Sequence, residues 1–237
     1  MNRLLGWHIG LGETGLRLFQ LHLLWLGWTL VGGVVLGVFP ATAAVYAVLR
    51  KDLMRGGDDG GGQGGARAAP RARLRTEFRA AWRREFRAAN CLGYTFVAIW
   101  SLLLFDRHLL TTVDLGALGP LLAGLLWLLT VFVFGMTACV GTLSAHFSES
   151  VPALVRRSAV FVLARPVYAA VNAVVVAVVL CVYYLIPGLV PVFGLVVPAY
   201  FSFVYIFSTG ILPNGTRHAP STTSRTITPS PARSGGR

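Results

Sequence analysis

The chain has 237 residues, 55% of them hydrophobic and only 13% charged, where a soluble domain carries about 25% charged residues. With a mean hydropathy of +0.66, that imbalance excludes a soluble enzyme and, at about 20 residues per crossing, suits roughly five membrane helices with their connectors. The net charge of +12 would fit nucleic acid or an anionic membrane surface; because the basic residues fall between lipid-length apolar runs, the expected partner is the bilayer and not nucleic acid.

The first apolar run extends from Leu18 to Leu49 and as one helix would reach about 48 Å, beyond a hydrocarbon core of about 30 Å. Pro40 is the expected break, since proline is tolerated in the first turn of a helix and disrupts the interior of one. The reading is an N-terminal segment over 1–17, a crossing over 18–38, and a short interfacial helix from Pro40 to Met54. No short apolar core with a small-residue cleavage site marks a signal peptide, so the first run is expected to remain in the mature protein. Residues 56–70 are glycine-rich, and with no Gly-Lys-Ser/Thr following they read as a spacer and not a phosphate loop.

Beyond the spacer, Leu74, Phe78, Trp82 and Phe86 recur every fourth residue, an apolar stripe that drifts only about 40° per step around a helix. Arg75, Arg79, Arg83 and Arg87 form a second row one position along, and like charges at that spacing repel. Anionic phospholipid headgroups would relieve the repulsion, with Phe78, Trp82 and Phe86 dipping into the interface.

Further crossings are expected near 90–108, 118–143, 167–186 and 189–212. The fold class is therefore all-α: a polytopic integral membrane helical bundle over 18–212, with about five transmembrane helices and amphipathic helices on the cytoplasmic side. The stretch 213–237 lacks large apolar residues and reads as a disordered tail. If the 50–89 loop lies inside, 18 of the 21 basic residues do too, leaving Arg3, Arg17 and Arg107 outside. The positive-inside rule then gives an external N-terminus and a cytoplasmic C-terminus in the cell membrane.

Three segments, LLWLGWTLVGGVVLGVFPATAAVYAVLRKDLMRG, TEFRAAWRREFRAANCLGYTF and HFSESVPALVRRSAVFVLARP, occur in the order and spacing of the YesL-like family, which the chain resembles from about Leu18 to Leu212. The most specific piece is Pro40, Ala41, Thr42 and Ala43 followed by Arg50 and Lys51. The resemblance implies a small multi-helix bacterial membrane protein of unknown function, from a family often encoded beside carbohydrate uptake and breakdown genes. It implies no reaction and no cofactor.

Ionisable groups within lipid usually mark transport or proton paths, and few occur here. His22 is expected to be an interfacial or internally satisfied histidine and Asn172 an interhelical hydrogen-bonding group, with Asn90 at the mouth of the second crossing. His146 and Glu149 have the spacing of half a metal site but lack further ligands, so Glu149 is expected to meet Arg156 or Arg157. Gly33 and Gly37 form a GxxxG suited to close helix contact. Cys91, Cys139 and Cys181 form no CxxC pair and read as buried apolar residues. No nucleophile elbow or zinc-binding helix motif is present. The expectation is a non-catalytic component accessory to carbohydrate uptake, partnered with an importer complex. The alternative is a small transporter for a neutral solute such as a sugar, for which Pro191 and Pro198 could unwind backbone.

Overall fold

The computed structural model describes residues 2–58, 70–113, 115–147 and 149–209, and these are organised as helices. In chain order they are α1 (Asn2–Val31), α2 (Val38–Asp58), α3 (Pro70–Thr112), α4 (Gly119–His146), α5 (Val151–Ala164), α6 (Pro166–Leu185), the short α7 (Val190–Phe193) and α8 (Val196–Ser208). Proline stands in the first turn of α4, α5, α6 and α7, where its missing amide hydrogen costs no helical bond. The expected spacer falls mostly outside the described residues, as does the expected tail.

Among the described residues, three helical stretches are long and apolar enough to cross a membrane: Ala72–Thr112, Gly116–His146 and Pro166–Leu185. A fourth is available if Pro187–Phe193 and Val196–Ser208, bent by 75°, act as one broken span. The bend falls at Gly194, whose φ of +38° suits a residue without a Cβ. The described residues are thus all-helical in class, with three to four candidate spans among them. α1 is not among them, because Arg17, Gln20 and His22 dilute its apolar run.

α1 and α2 form an antiparallel hairpin closed by a turn over residues 32–37. Trp25 Nε1 donates to Thr42 Oγ1 at 3.1 Å, and farther down Arg17 Nη2 meets Asp52 Oδ1 at 2.9 Å. Arg17 and Asp52 therefore lie at the same end of the hairpin, whereas the sequence placed Arg17 on one face and the 50–89 loop on the other. The GxxxG of Gly33 and Gly37 is also relocated: both residues build the turn. Gly33 has φ +75°, and a Cβ on Gly37 would collide with the Thr29 carbonyl.

The core gathers at one end of the molecule. Leu18 and Leu21 of α1, Ala41, Ala44, Val45, Val48 and Leu49 of α2, Leu74, Phe78 and Ala81 of α3, and Val196 and Ala199 of α8 bury one another. In α2 these positions follow the i, i+3, i+4, i+7 spacing of one helical face, so the expected interfacial helix is instead the centre of the packing. Smaller clusters join Cys139 and Leu143 to Ile206, and Phe96 to Met136 and Val140. All buried residues of α4 lie between Val133 and Leu143. Its first half has no buried residue, with Leu121, Leu125 and Leu128 more than 60% exposed.

Candidate functional site

The proline-alanine motif opens α2. Pro40, Ala41 and Ala44 are fully buried, and alanine's small side chain lets neighbouring helices approach. The Thr42 hydroxyl donates to the Val38 carbonyl at 2.8 Å while accepting from Trp25, which ties the two arms of the hairpin together. Ala43 is half-buried and Lys51 exposed. Arg50 donates from Nη1 to the Ala145 carbonyl at 2.7 Å, satisfying one of the open carbonyls at the C-terminus of α4 with a positive charge suited to that end of the helix dipole.

Beside this anchor runs a buried polar seam. The Ala138 carbonyl accepts from Asn172 Nδ2 at 3.2 Å and from Ser202 Oγ at 3.0 Å, so α4, α6 and α8 meet on one backbone oxygen. Cys139 Sγ lies 3.6 Å from the same amide nitrogen. Asn172 Oδ1, Thr142 Oγ1 and His146 Nε2 are buried without a protein partner. The His146 ring stacks on Phe203 with centroids 5.4 Å apart. Asn172 thus takes the expected interhelical role, while Ser202 and Thr142 escaped notice because a hydroxyl in an apolar helix has no sequence signature of its own.

His22 takes the second of its two expected forms, a satisfied histidine inside the protein. It is buried, stacks on Trp25, and its Nε2 lies 3.0 Å from the Pro191 carbonyl, which pins α1 to α7 instead of facing an interface. Glu149 meets Arg157, whose Nε donates to Oε2 at 3.0 Å and whose Nη2 also reaches Oε1. That hydrogen bonding holds the Glu149 carboxyl below the usual carboxylate range. Among the described residues, no three His, Cys, Asp or Glu side chains gather as a metal site would require. Cys139 is buried, but Cys91 and Cys181 are exposed, contrary to the reading of all three as buried.

The arginine-aromatic stretch divides in two. Phe78 is completely buried, and Leu74 nearly so, in the core shared with α2. Trp82 is half-buried, with its ring 5.1 Å from Trp28, and Phe86 packs on Trp82 at 4.8 Å. The apolar stripe is therefore spent largely on protein contacts, and Phe78 has no surface left for lipid. Arg75, Arg79, Arg83 and Arg87 remain exposed, while Arg73 and Arg84 hold Glu77 and Glu85. The row and the second expected crossing belong to one uninterrupted helix, α3.

Together these elements define an all-helical protein with several membrane-suited helices. A family model described as "Protein of unknown function, DUF624" matches residues 18–60, the stretch that forms the hairpin. The chain is 29% identical over 201 residues to "Uncharacterized protein YesV" of Bacillus subtilis (strain 168), covering 82% of this chain and 86% of that protein. Both matches bear out the resemblance to a family of unknown function. No solved structure matches the chain.

Proposed function

We propose that this chain is a non-catalytic component of the cell membrane that acts by helix contact with a partner inside the bilayer, accessory to carbohydrate uptake. The observation that carries the reading is the bareness of one end. Only 6% of the most apolar window of α4 is buried, and α3 and α4 diverge around an apolar cleft of about 360 Å³ lined by Leu109, Leu110, Leu122, Leu125 and Leu129, with Asp106 at its margin. Exposed apolar surface of this extent is suited to lipid or to another transmembrane helix. The link to sugars comes from the resemblance alone.

In this reading the apolar part of α3, then α4, α6 and the α7–α8 pair cross the bilayer, and the 50–89 loop, α5 and the tail face the cytoplasm. A fifth crossing over 18–38 would set Arg17 and Asp52 on opposite faces, against their ion pair. The arginine row then lies on the cytoplasmic side, where anionic phospholipids would counter its charge. To test the function, a photo-crosslinking residue is placed at Leu125 or Leu129 in cells. Adducts with the permease subunit of a carbohydrate importer are expected; adducts with lipid alone would remove the partner from the proposal.

A second reading, a small transporter for a neutral solute, is favoured by one feature. The broken α7–α8 span, with His22 on the Pro191 carbonyl, resembles the discontinuous helices that frame substrate sites in transporters. Sugar flux into vesicles containing only this purified protein would establish it and displace the accessory role.

A further inference from the structure

We infer that the outer part of the arginine row on α3, Arg75 and Arg79 above all, is a docking face for an acidic helical segment of a protein on the cytoplasmic side, held clear of the lipid headgroups. The inference rests on the proposed orientation and on the crossing of the bilayer by the apolar half of α3. That half fixes the height of everything before it. Between Arg87 and Asp106 the helix carries no charged residue. The 19 steps from one to the other span about 28 Å, close to the roughly 30 Å of a hydrocarbon core. Asp106 and Arg107, the latter over the Trp127 ring at 4.7 Å, therefore mark one boundary and Arg87 the other. The stretch Gly116–His146 has 31 residues; at about 46 Å it also overruns the hydrocarbon, so its end beside Arg50 stands on the same side as the row.

Because α3 is a single helix, Arg83, Arg79 and Arg75 stand about 6, 12 and 18 Å beyond Arg87 along its axis. At the usual tilt of about 20°, Arg79 and Arg75 are still about 11 and 17 Å out. The headgroup layer is only about 5–8 Å deep. Arg87, with Arg83, can reach phospholipid, whereas Arg75 and Arg79 stand past it.

The face they present is open. Leu74, Phe78 and Ala81 are sealed in the core with the hairpin, and Trp82 lies on Trp28. Protein thus backs the helix on one side, while Arg75, Arg79, Arg83 and Arg87 are exposed on the other. Among the described residues these four make no ion pair, whereas Arg73 and Arg84 take Glu77 and Glu85. A file of like charges about 6 Å apart repels itself.

The occupant that repeats at the same interval is a helix with carboxylates every fourth residue. Thr76, Ala80 and Ala88, exposed beside the row, are small enough to let its backbone come close. A second copy of this chain does not supply it: of the nine acidic residues no two stand three or four positions apart, and Asp52, Glu77, Glu85 and Glu149 already hold arginines. Single-stranded nucleic acid is disfavoured because the aromatic residues of this stretch, on which bases would stack, are turned to the hairpin.

The test uses the full chain in nanodiscs containing phosphatidylglycerol, with the exposed Cys91 and Cys181 replaced by serine. A fluorophore on Arg87→Cys should be quenched strongly by lipids carrying a nitroxide on the headgroup, and one on Arg75→Cys weakly. A fluorophore on Leu104→Cys should be quenched by lipids brominated in their acyl chains. Loss of the Leu104 signal would overturn the crossing and the docking face with it; its presence with equal headgroup quenching at 75 and 87 would overturn the docking face alone. A synthetic helical peptide with glutamate at every fourth position should bind the native chain, more weakly as salt rises. Arg75→Gln with Arg79→Gln should weaken it about five- to twentyfold, since exposed ion pairs contribute up to about fivefold each, and Arg83→Gln with Arg87→Gln by under about twofold. Failure of the peptide to bind, an equal loss from the two double variants, or tighter binding of single-stranded RNA would overturn the inference.

Discussion

At the scale of single residues, the strongest contacts are those in which a side chain satisfies a backbone oxygen of another helix. Arg50 on Ala145 is charge-assisted, a class that contributes about 1.5–3 kcal/mol. Arg50→Ala is expected to lower stability by that amount in detergent unfolding, with Arg50→Lys recovering part of it. Asn172 and Ser202 share the Ala138 carbonyl, so either can serve when the other is lost. Asn172→Ala alone should cost about 0.6–1.7 kcal/mol, the range for interhelical hydrogen bonds in membranes. The double change with Ser202→Ala should cost more than the sum of the two single ones, because only then does the carbonyl lose both side-chain donors and keep its helical bond alone; strict additivity would show that the two do not share it.

Glu149 gives a pH dependence of definite sign. Arg157 depresses its folded pKa, so the contribution to stability is complete above the unfolded value and is lost as pH falls through the folded one. Wild type should exceed Glu149→Gln in thermal stability at neutral pH, and the difference should shrink progressively as pH falls below the ordinary glutamate range. A constant difference across that range would discount the pair.

Among the elements, the hairpin turns on its glycines. Gly27 lies in α1 with open space around its missing Cβ, whereas a Cβ on Gly37 would meet the Thr29 backbone. Gly27→Ala should therefore stabilise by about 0.5–1 kcal/mol through helix propensity, and Gly37→Ala should destabilise and part the arms, seen as loss of a disulfide engineered between positions 17 and 52. This contrast also shows what the sequence could and could not disclose. The break near Pro40 was legible from the length of the run, but the chain reverses several residues earlier, at a turn whose Gly-Gly and Gly-Val steps looked like helix-packing glycines within an apolar stretch. Hydropathy carries no direction, so a run that turns back reads the same as one that goes through. α5 was overlooked for a related reason: it is short, and Arg156 and Arg157 read as connector charge until Glu149 is seen to hold one of them.

Over the whole molecule, packing is lopsided. The helical class, the three stretches now seen as α3, α4 and α6, and the role of Asn172 followed from composition and apolar length. Which end of each helix would be buried did not, because leucine suits lipid and protein interior equally. Phe78 illustrates the same ambiguity: four-residue spacing gives a face and says nothing of what covers it. The asymmetry is measurable. Leu121→Ala or Leu125→Ala should change unfolding in detergent by under about 0.5 kcal/mol, as for surface sites, whereas Leu143→Ala, fully enclosed, should cost about 2–5 kcal/mol.

The unbroken hydrogen-bond ladder of α3 has a mechanical corollary. Its 43 residues contain no proline after the first, so the turns bearing the arginines and the turns bearing Leu103 and Leu109 are parts of one beam. Any body that grips the charged end, rotates it or lets it go transmits that load along the shaft to the cleft beside Leu122, with no slack joint to absorb it.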